Sequence, residues 1–151
     1  MYPPELVKPM QLELENVGFI SLHTAQDVEE ILGKEGTTLV VVNSVCGCAA
    51  GTCRPGAVAS LQFNKIPNNL VTVFAGVDTE ATGKAREFMI PFPPSSPAIA
   101  LFKDGVLVHM LERHHIEGRP AEVIASNLTA AYEESVSYTH LTLRRSTLCR
   151  S

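Results

Sequence analysis

The sequence predicts an α/β fold, a central mixed sheet flanked by helices, with one helix and one strand added at the N-terminus. Three observations predict it. Two apolar, largely β-branched runs, "TTLVVVNSV" and "LVTVFAGVD", suit strands covered on both faces. Capped, amphipathic stretches alternate with them, the pattern of parallel strands joined by crossover helices. Asp104-Gly105 sits between two apolar runs and signals a hairpin, hence an antiparallel edge.

Each element follows in order. Pro3 and Pro4 open a first helix in which Leu6, Met10, Leu12 and Leu14 are only loosely periodic, and "GFISLH" reads as a short strand. Thr24 is the N-cap of "AQDVEEILGKEG", with Asp27 in the acidic position of a capping box and Gly33 or Gly36 at the stop. "TTLVVVNSV" is the central strand. Beyond a cysteine-bearing loop, "CRPGAVASLQFNK" is helical and Asn68-Asn69 ends it. "LVTVFAGVD" is the next buried strand, and "TEATGKAREFM" an amphipathic helix with Thr79 near its cap. The proline-dense "IPFPPSSP" leads into the hairpin "AIALFKDGVLVHML". "GRPAEVIASNLTAAYEE" closes the pattern as a helix with Pro120 in its first turn. A strand, a reactive loop, a helix, a further strand–helix unit, a hairpin and a last helix make the thioredoxin-like arrangement. The first helix and strand extend it.

The 151 residues suffice for one domain with its own core, assigned to residues 1–134. A formal net charge of −4 argues against a nucleic-acid partner, because phosphate binding needs a basic face. "ERHHIEGR" is one of two basic clusters, and its own acidic residues dilute it. No apolar run approaches the roughly 20 residues that cross a bilayer, so no membrane partner is expected. "MYPPELVKPMQLELE" lacks the pattern of a secretory signal, and the expected compartment is the cytosol, where thiols stay reduced.

After Glu134 the character changes. "SVSYTHLTLRRSTLCRS" has no helical period and no acidic residue. Its "VSYTHL" resembles one reading frame of the mosaic-end adapter used in transposase-made sequencing libraries. Residues 135–151 are therefore expected to be a non-native tail of adapter read-through, or else a short disordered end. Cys149 is discounted on either view.

Three thiols remain within eight residues, Cys46, Cys48 and Cys53 in "VCGCAAGTC". Structural zinc wants four ligands, usually as paired knuckles, and there is no second knuckle. His109, His114 and His115 fall at the far end of the expected sheet order. A non-catalytic metal-binding thiol protein is thus the alternative reading, and no metal is assigned. A structural bridge from Cys46 to Cys48 would enclose almost no loop and stabilise little. Redox chemistry suits the position, because amide groups where a buried strand gives way to a helix lower a thiol's pKa. The thiolate is the species that attacks disulfides.

Cys46, nearest the strand end, is the candidate nucleophile and Cys48 the resolving thiol. Cys53 reads as a buried small residue, or else as an alternative thiol. Gly47 supplies the backbone freedom that a Cys-x-Cys ring demands. Arg54 either supports the thiolate electrostatically or is a solvated helix arginine. Pro97, with a cis bond from Ser96, takes the place of the cis-proline that faces the nucleophile in thioredoxin-like sites. The adjacent histidines of "ERHHIEGR" read as a polar turn without a catalytic role.

"TTLVVVNSVCGCAAGTCRPG", "VTVFAGVD", "PFPPSSPAIALFKDG" and "VHMLERHHIEGRPAEVIASNLTAAYEE" resemble the bacilliredoxin family of bacterial thioredoxin-like proteins. The resemblance covers positions 1 to 134. It implies an enzyme, a thiol–disulfide oxidoreductase that removes bacillithiol from protein mixed disulfides, with disulfide isomerase activity. It implies no bound cofactor, bacillithiol as co-substrate, S-thiolated client proteins as partners, and a redox-active Cys46–Cys48 disulfide. Cys46 would accept the bacillithiol, and Cys48 or a second bacillithiol would release it. The chain departs from the family pattern at Cys53, where alanine is common before Arg-Pro, and at its end, where the family often places a cysteine.

Overall fold

The computed structural model describes residues 2–136. The expected tail from residue 137 onward, with Cys149, lies outside the described residues.

Helix α1 spans Pro4–Glu15 and carries a proline at its start, where the missing amide proton costs nothing. Strand β1 is only Ile20–Ser21. Helix α2 (Ala25–Leu32) is capped by Thr24, whose hydroxyl accepts from the Asp27 amide at 3.1 Å, as the sequence predicts. Strand β2 (Thr37–Asn43) is buried at all seven positions, which is why its sequence is a continuous apolar run rather than an alternating one.

The next element differs from expectation. A single π-helical turn, α3 (Ala49–Cys53), precedes α4 (Arg54–Ser60). The helix thus begins nearer the cysteines and ends sooner than "CRPGAVASLQFNK" suggests. The wide turn places Pro55 in the first turn of the regular helix that follows, where no amide proton is needed.

Strand β3 is Asn69–Phe74 and α5 is Thr79–Phe88. Strands β4 (Ala98–Lys103) and β5 (Val106–Leu111) form the hairpin. Asp104 and Gly105 both take positive φ, 51° and 82°, the requirement of the tight hairpin turn that Asp-Gly signals. The expected polar turn in "ERHHIEGR" is instead a one-turn helix, α6 (Arg113–Ile116), closed by a capping box between Glu112 and His115. The last helix, α7, spans Ala121–Ser135. Val136 beyond it is buried in the core, so packed structure continues two residues past the expected boundary at 134.

The sheet order is β1-β3-β2-β4-β5. Strands β1, β3 and β2 are parallel, while β4 runs antiparallel to β2 and β5 antiparallel to β4. Each sheet face buries its own cluster. Leu39, Val41, Ile99 and Leu101 point to α1, α4 and α7, and Val40, Val42, Ala98 and Ala100 to α2 and α5. The C-terminal end of the central strand β2 hands the chain directly to the cysteines.

Candidate active site

Below the cysteine loop the chain is held by one buried guanidinium. Arg54, 1% exposed, donates through Nη1 to Asn43 Oδ1 (2.9 Å) and the Ser44 carbonyl (3.0 Å) and through Nε to Glu13 (3.0 Å). Asn43 in turn accepts from the Ser44 amide at 2.9 Å and donates to the Met10 carbonyl of α1. Arg54 is therefore buried rather than the solvated helix arginine that was one of its two expected states, and its hydrogen bonds go to Asn43, Ser44 and Glu13. It fixes Ser44, and Ser44 touches Cys46. A planar fork of five donors can tie a strand end, a helix and α1 together in a way no lysine can.

Ser44 Oγ donates to Cys46 Sγ at 3.2 Å and accepts from the Cys46 amide at 3.3 Å. Cys46 Sγ and Cys48 Sγ lie 3.0 Å apart, both as free thiols. Partial burial raises the pKa of Cys46, but hydrogen bonds from the Cys48 thiol, the Ser44 hydroxyl and the Ala49 and Cys48 amides together outweigh it. The thiol ends below its ordinary value. Cys48 moves the other way, pushed up by burial, by its hydrogen bond to Cys46 and by that sulfur's charge. The two thiols are thus shifted in opposite directions, Cys46 toward easier loss of its proton and Cys48 away from it.

Cys53 is fully buried, and desolvation pushes its pKa up to about 12. It is a packing residue at the end of the π-helical turn, its side chain in the core cluster. Gly47 is not among the glycines with positive φ, and nothing lies within 4 Å of where its Cβ would be. Its contribution here is open space beside the sulfurs rather than an unusual backbone. Ala50 and Gly51 extend that open surface, while Ala49 turns into the core.

The Ser96–Pro97 bond is cis, and so is Ile90–Pro91, which the sequence did not flag. Ser96 and Cys46 line one cleft of about 340 Å³, together with Ser44, Tyr2, Arg86 and Arg113. Arg113 stands on α6, 67 residues from Cys46. Its Nη1 donates to the Ser96 carbonyl (3.2 Å) and its Nη2 pairs with Glu117 (3.3 Å). Its charge opposes the rise in the Cys48 pKa. Sequence reasoning missed Arg113 because "ERHHIEGR" drew attention to its histidines. It passed over Ser44, although the position two residues before a reactive cysteine is a signal that could have found it.

Among the described residues, the three thiols do not converge with one another or with a carboxylate or imidazole into a metal-ligand cluster. The grouping that does converge is Glu112, His114 and His115, within 4.8 Å, and the capping box already engages two of the three. No helix among the described residues is long and apolar enough to cross a membrane.

Comparison with known proteins bears on the family and the fold. The family model described as "Disulphide isomerase" matches residues 2–136. A bacilliredoxin of Cytophaga hutchinsonii is 60% identical over 134 residues, covering 89% of this chain and 99% of that protein. Bacilliredoxin BH1716 of Halalkalibacterium halodurans is 53% identical, covering 88% and 93%. Among solved structures, oxidised mitochondrial thioredoxin 3 of Saccharomyces cerevisiae superposes with a TM-score of 0.53 at 13% identity, covering 81% and 98%. Reduced Schistosoma mansoni thioredoxin gives 0.52 at 17% identity, covering 76% and 97%. A cysteine pair at the end of the central strand, a cis-proline beside it and relatives along nearly their whole length lead to one assignment: the chain belongs to the bacilliredoxin family, thiol–disulfide oxidoreductases on the thioredoxin fold.

Proposed function

We propose that the protein removes a low-molecular-weight thiol, bacillithiol in the family's own terms, from mixed disulfides on client proteins, using Cys46 and Cys48. The observation that carries this reading is the division of labour within the pair, a hydrogen-bonded sulfur with a lowered pKa 3.0 Å from a sulfur with a raised one. The Cys46 thiolate attacks the sulfur of the small thiol, forming a disulfide with it. The client sulfur leaves as a thiolate and takes a proton from water. Cys48 then loses its proton and attacks Cys46 Sγ, and the small thiol departs as a thiolate. Two electrons have passed from the dithiol to the mixed disulfide, and a Cys46–Cys48 disulfide remains. Two further molecules of small thiol restore the dithiol and become the corresponding symmetrical disulfide. With a client disulfide in place of the mixed one, the same first attack begins isomerisation.

The test is the intact mass of reduced Cys48→Ser protein after mixing with a bacillithiolated client. One added bacillithiol mass, mapping to Cys46, is the expected result. Absence of transfer while the thiols remain open to alkylation would overturn the reading.

A further inference from the structure

We infer that the groove between helix α1 and the loop at 75–77 holds an apolar side chain of the client polypeptide, close to its thiolated cysteine. This rests on the thiol-transfer reading above and adds the client half of the substrate.

Helix α1 is an addition to the thioredoxin-like arrangement, and its second half is the part tied down. Glu13 pairs with Arg54, the Met10 carbonyl accepts from Asn43, and Leu14 is buried. Over residues 2–9 Val7 is the one buried position, while Tyr2 and Leu6 keep 41% and 44% of their surface exposed. This leaves a groove of about 420 Å³ against the loop that follows β3, its lining mostly apolar, from Tyr2, Pro4, Val7 and Val77.

Two observations give the groove its occupant. The first is continuity with the place of reaction. Tyr2 lines both the groove and the Cys46 cleft, so the two meet at its ring. The ring rests on the backbone of Gly76, where φ is 85° and a Cβ would lie 2.8 Å from Tyr2 Cε2. The cleft is lined chiefly by polar groups, among them Ser44, Ser96, Arg86 and Arg113, and the groove supplies the apolar ground beside it. A polypeptide that presents a disulfide to Cys46 therefore continues onto a surface that includes the groove.

The second is a backbone acceptor. Pro9 lies inside α1 and has no amide proton, so the Glu5 carbonyl lacks its usual donor four residues on. Glu5 lines the groove, and a client amide provides such a donor. An acceptor next to an apolar lining suits a peptide, which brings an N–H and a side chain together. Glu5 and Lys8 add one charge of each sign, so the groove sets no net charge on what it takes. Pro3, Pro4 and Pro9 fix φ along this wall, and little backbone freedom is lost when a client seats there.

The test uses two peptides, each with one cysteine carried as its mixed disulfide with 2-mercaptoethanol and flanked on both sides by leucine or by serine. Release of the peptide thiol by the reduced, full-length protein gives kcat/KM for each, divided by that peptide's rate with dithiothreitol. The leucine peptide is expected to exceed the serine peptide about three- to tenfold, the effect of burying part of one leucine. Tyr2→Ser and Val77→Ser should each bring that ratio toward one, while Leu6→Ser, at an exposed residue outside the groove, keeps it. A ratio of one in the unsubstituted protein would overturn the inference and leave thiol transfer standing. A preference that Tyr2→Ser and Val77→Ser keep and Phe92→Ser abolishes would also overturn it, giving the client to the loop before the cis-proline. So would a dimer on size exclusion that Tyr2→Ser dissociates, because a second copy would then fill the groove. No reaction with either peptide, both still reducible by dithiothreitol, would remove both readings.

Discussion

Ser44 makes two short-range bonds to Cys46, and their consequence is chemical rather than structural. The hydroxyl donates to the sulfur, so it favours the thiolate over the thiol. Ser44→Ala is expected to raise the Cys46 pKa and shift its alkylation profile to higher pH. At pH 7 the rate with iodoacetamide should fall about three- to tenfold, since a hydrogen bond to a charged group is worth roughly 1.5–3 kcal/mol before solvent weakens it. Above the pKa of both proteins the rates should converge, and a gap that persists there would mean lost access instead. At this scale the sequence is readable where chemistry sits in one short stretch. Cys46 and Cys48 stand in one motif at the end of a recognisable strand, and the cis bond before Pro97 was expected from the order of elements. Arg113 does not, because its proximity to Cys46 exists only after the hairpin has turned the chain back. Arg54 was visible, but one arginine next to a proline says nothing about the three acceptors that bury it.

The order of elements was legible because each strand and helix has its own hydrophobic period and its own boundary residues. The π-helical turn at Ala49–Cys53 was not, since a five-residue run of small side chains has no period to distinguish a wide turn from a loop or an ordinary helix. The short helix at Arg113–Ile116 was hidden for the same reason of length. Once that wide turn has set the helix, its packing is tight. A Cβ added at Gly56 would lie 2.7 Å from both Cβ and Cγ2 of Ile124 and 3.2 Å from the Ala121 carbonyl. Ile124 is branched at the clashing atoms, so α4 and α7 must separate rather than one rotamer yield. Gly56→Ala should therefore cost about 1–2 kcal/mol, overpacking of roughly 1–3 kcal/mol being partly offset by alanine's better helix propensity. Urea unfolding against Gly47→Ala, where the added methyl meets open space, checks it. A neutral or stabilising Gly56→Ala would show that the two helices adjust freely.

Across the whole molecule, the face of the sheet beneath α4 and α7 buries two groups that must stay neutral, Cys53 and Tyr132. Desolvation raises both pKa values to about 12, from ordinary values of 9.0 and 10.0, although the Ser60 hydrogen bond opposes it for Tyr132. Each group is neutral in both folded and unfolded chains below its unfolded pKa, so its contribution is intact there. Above that value the unfolded chain sheds the proton and the folded chain does not, and stability falls until the folded pKa is reached. The window is pH 9 to about 12 for Cys53 and pH 10 to about 12 for Tyr132. Between pH 8 and 10.5, Cys53 alone should remove about 2 kcal/mol and Tyr132 less than about 1 kcal/mol. Cys53→Ala deletes the first contribution and leaves the second, with the Cys46–Cys48 pair the same in both proteins. Urea unfolding at the two pH values, with reductant present, should show the unsubstituted protein losing about 2 kcal/mol more than Cys53→Ala over that interval. Parallel losses would mean that Cys53 gives up its proton inside the fold as readily as outside it. It would then be a reachable third thiol rather than a packing residue, and alkylation mapping of the folded protein at pH 10 would find it modified.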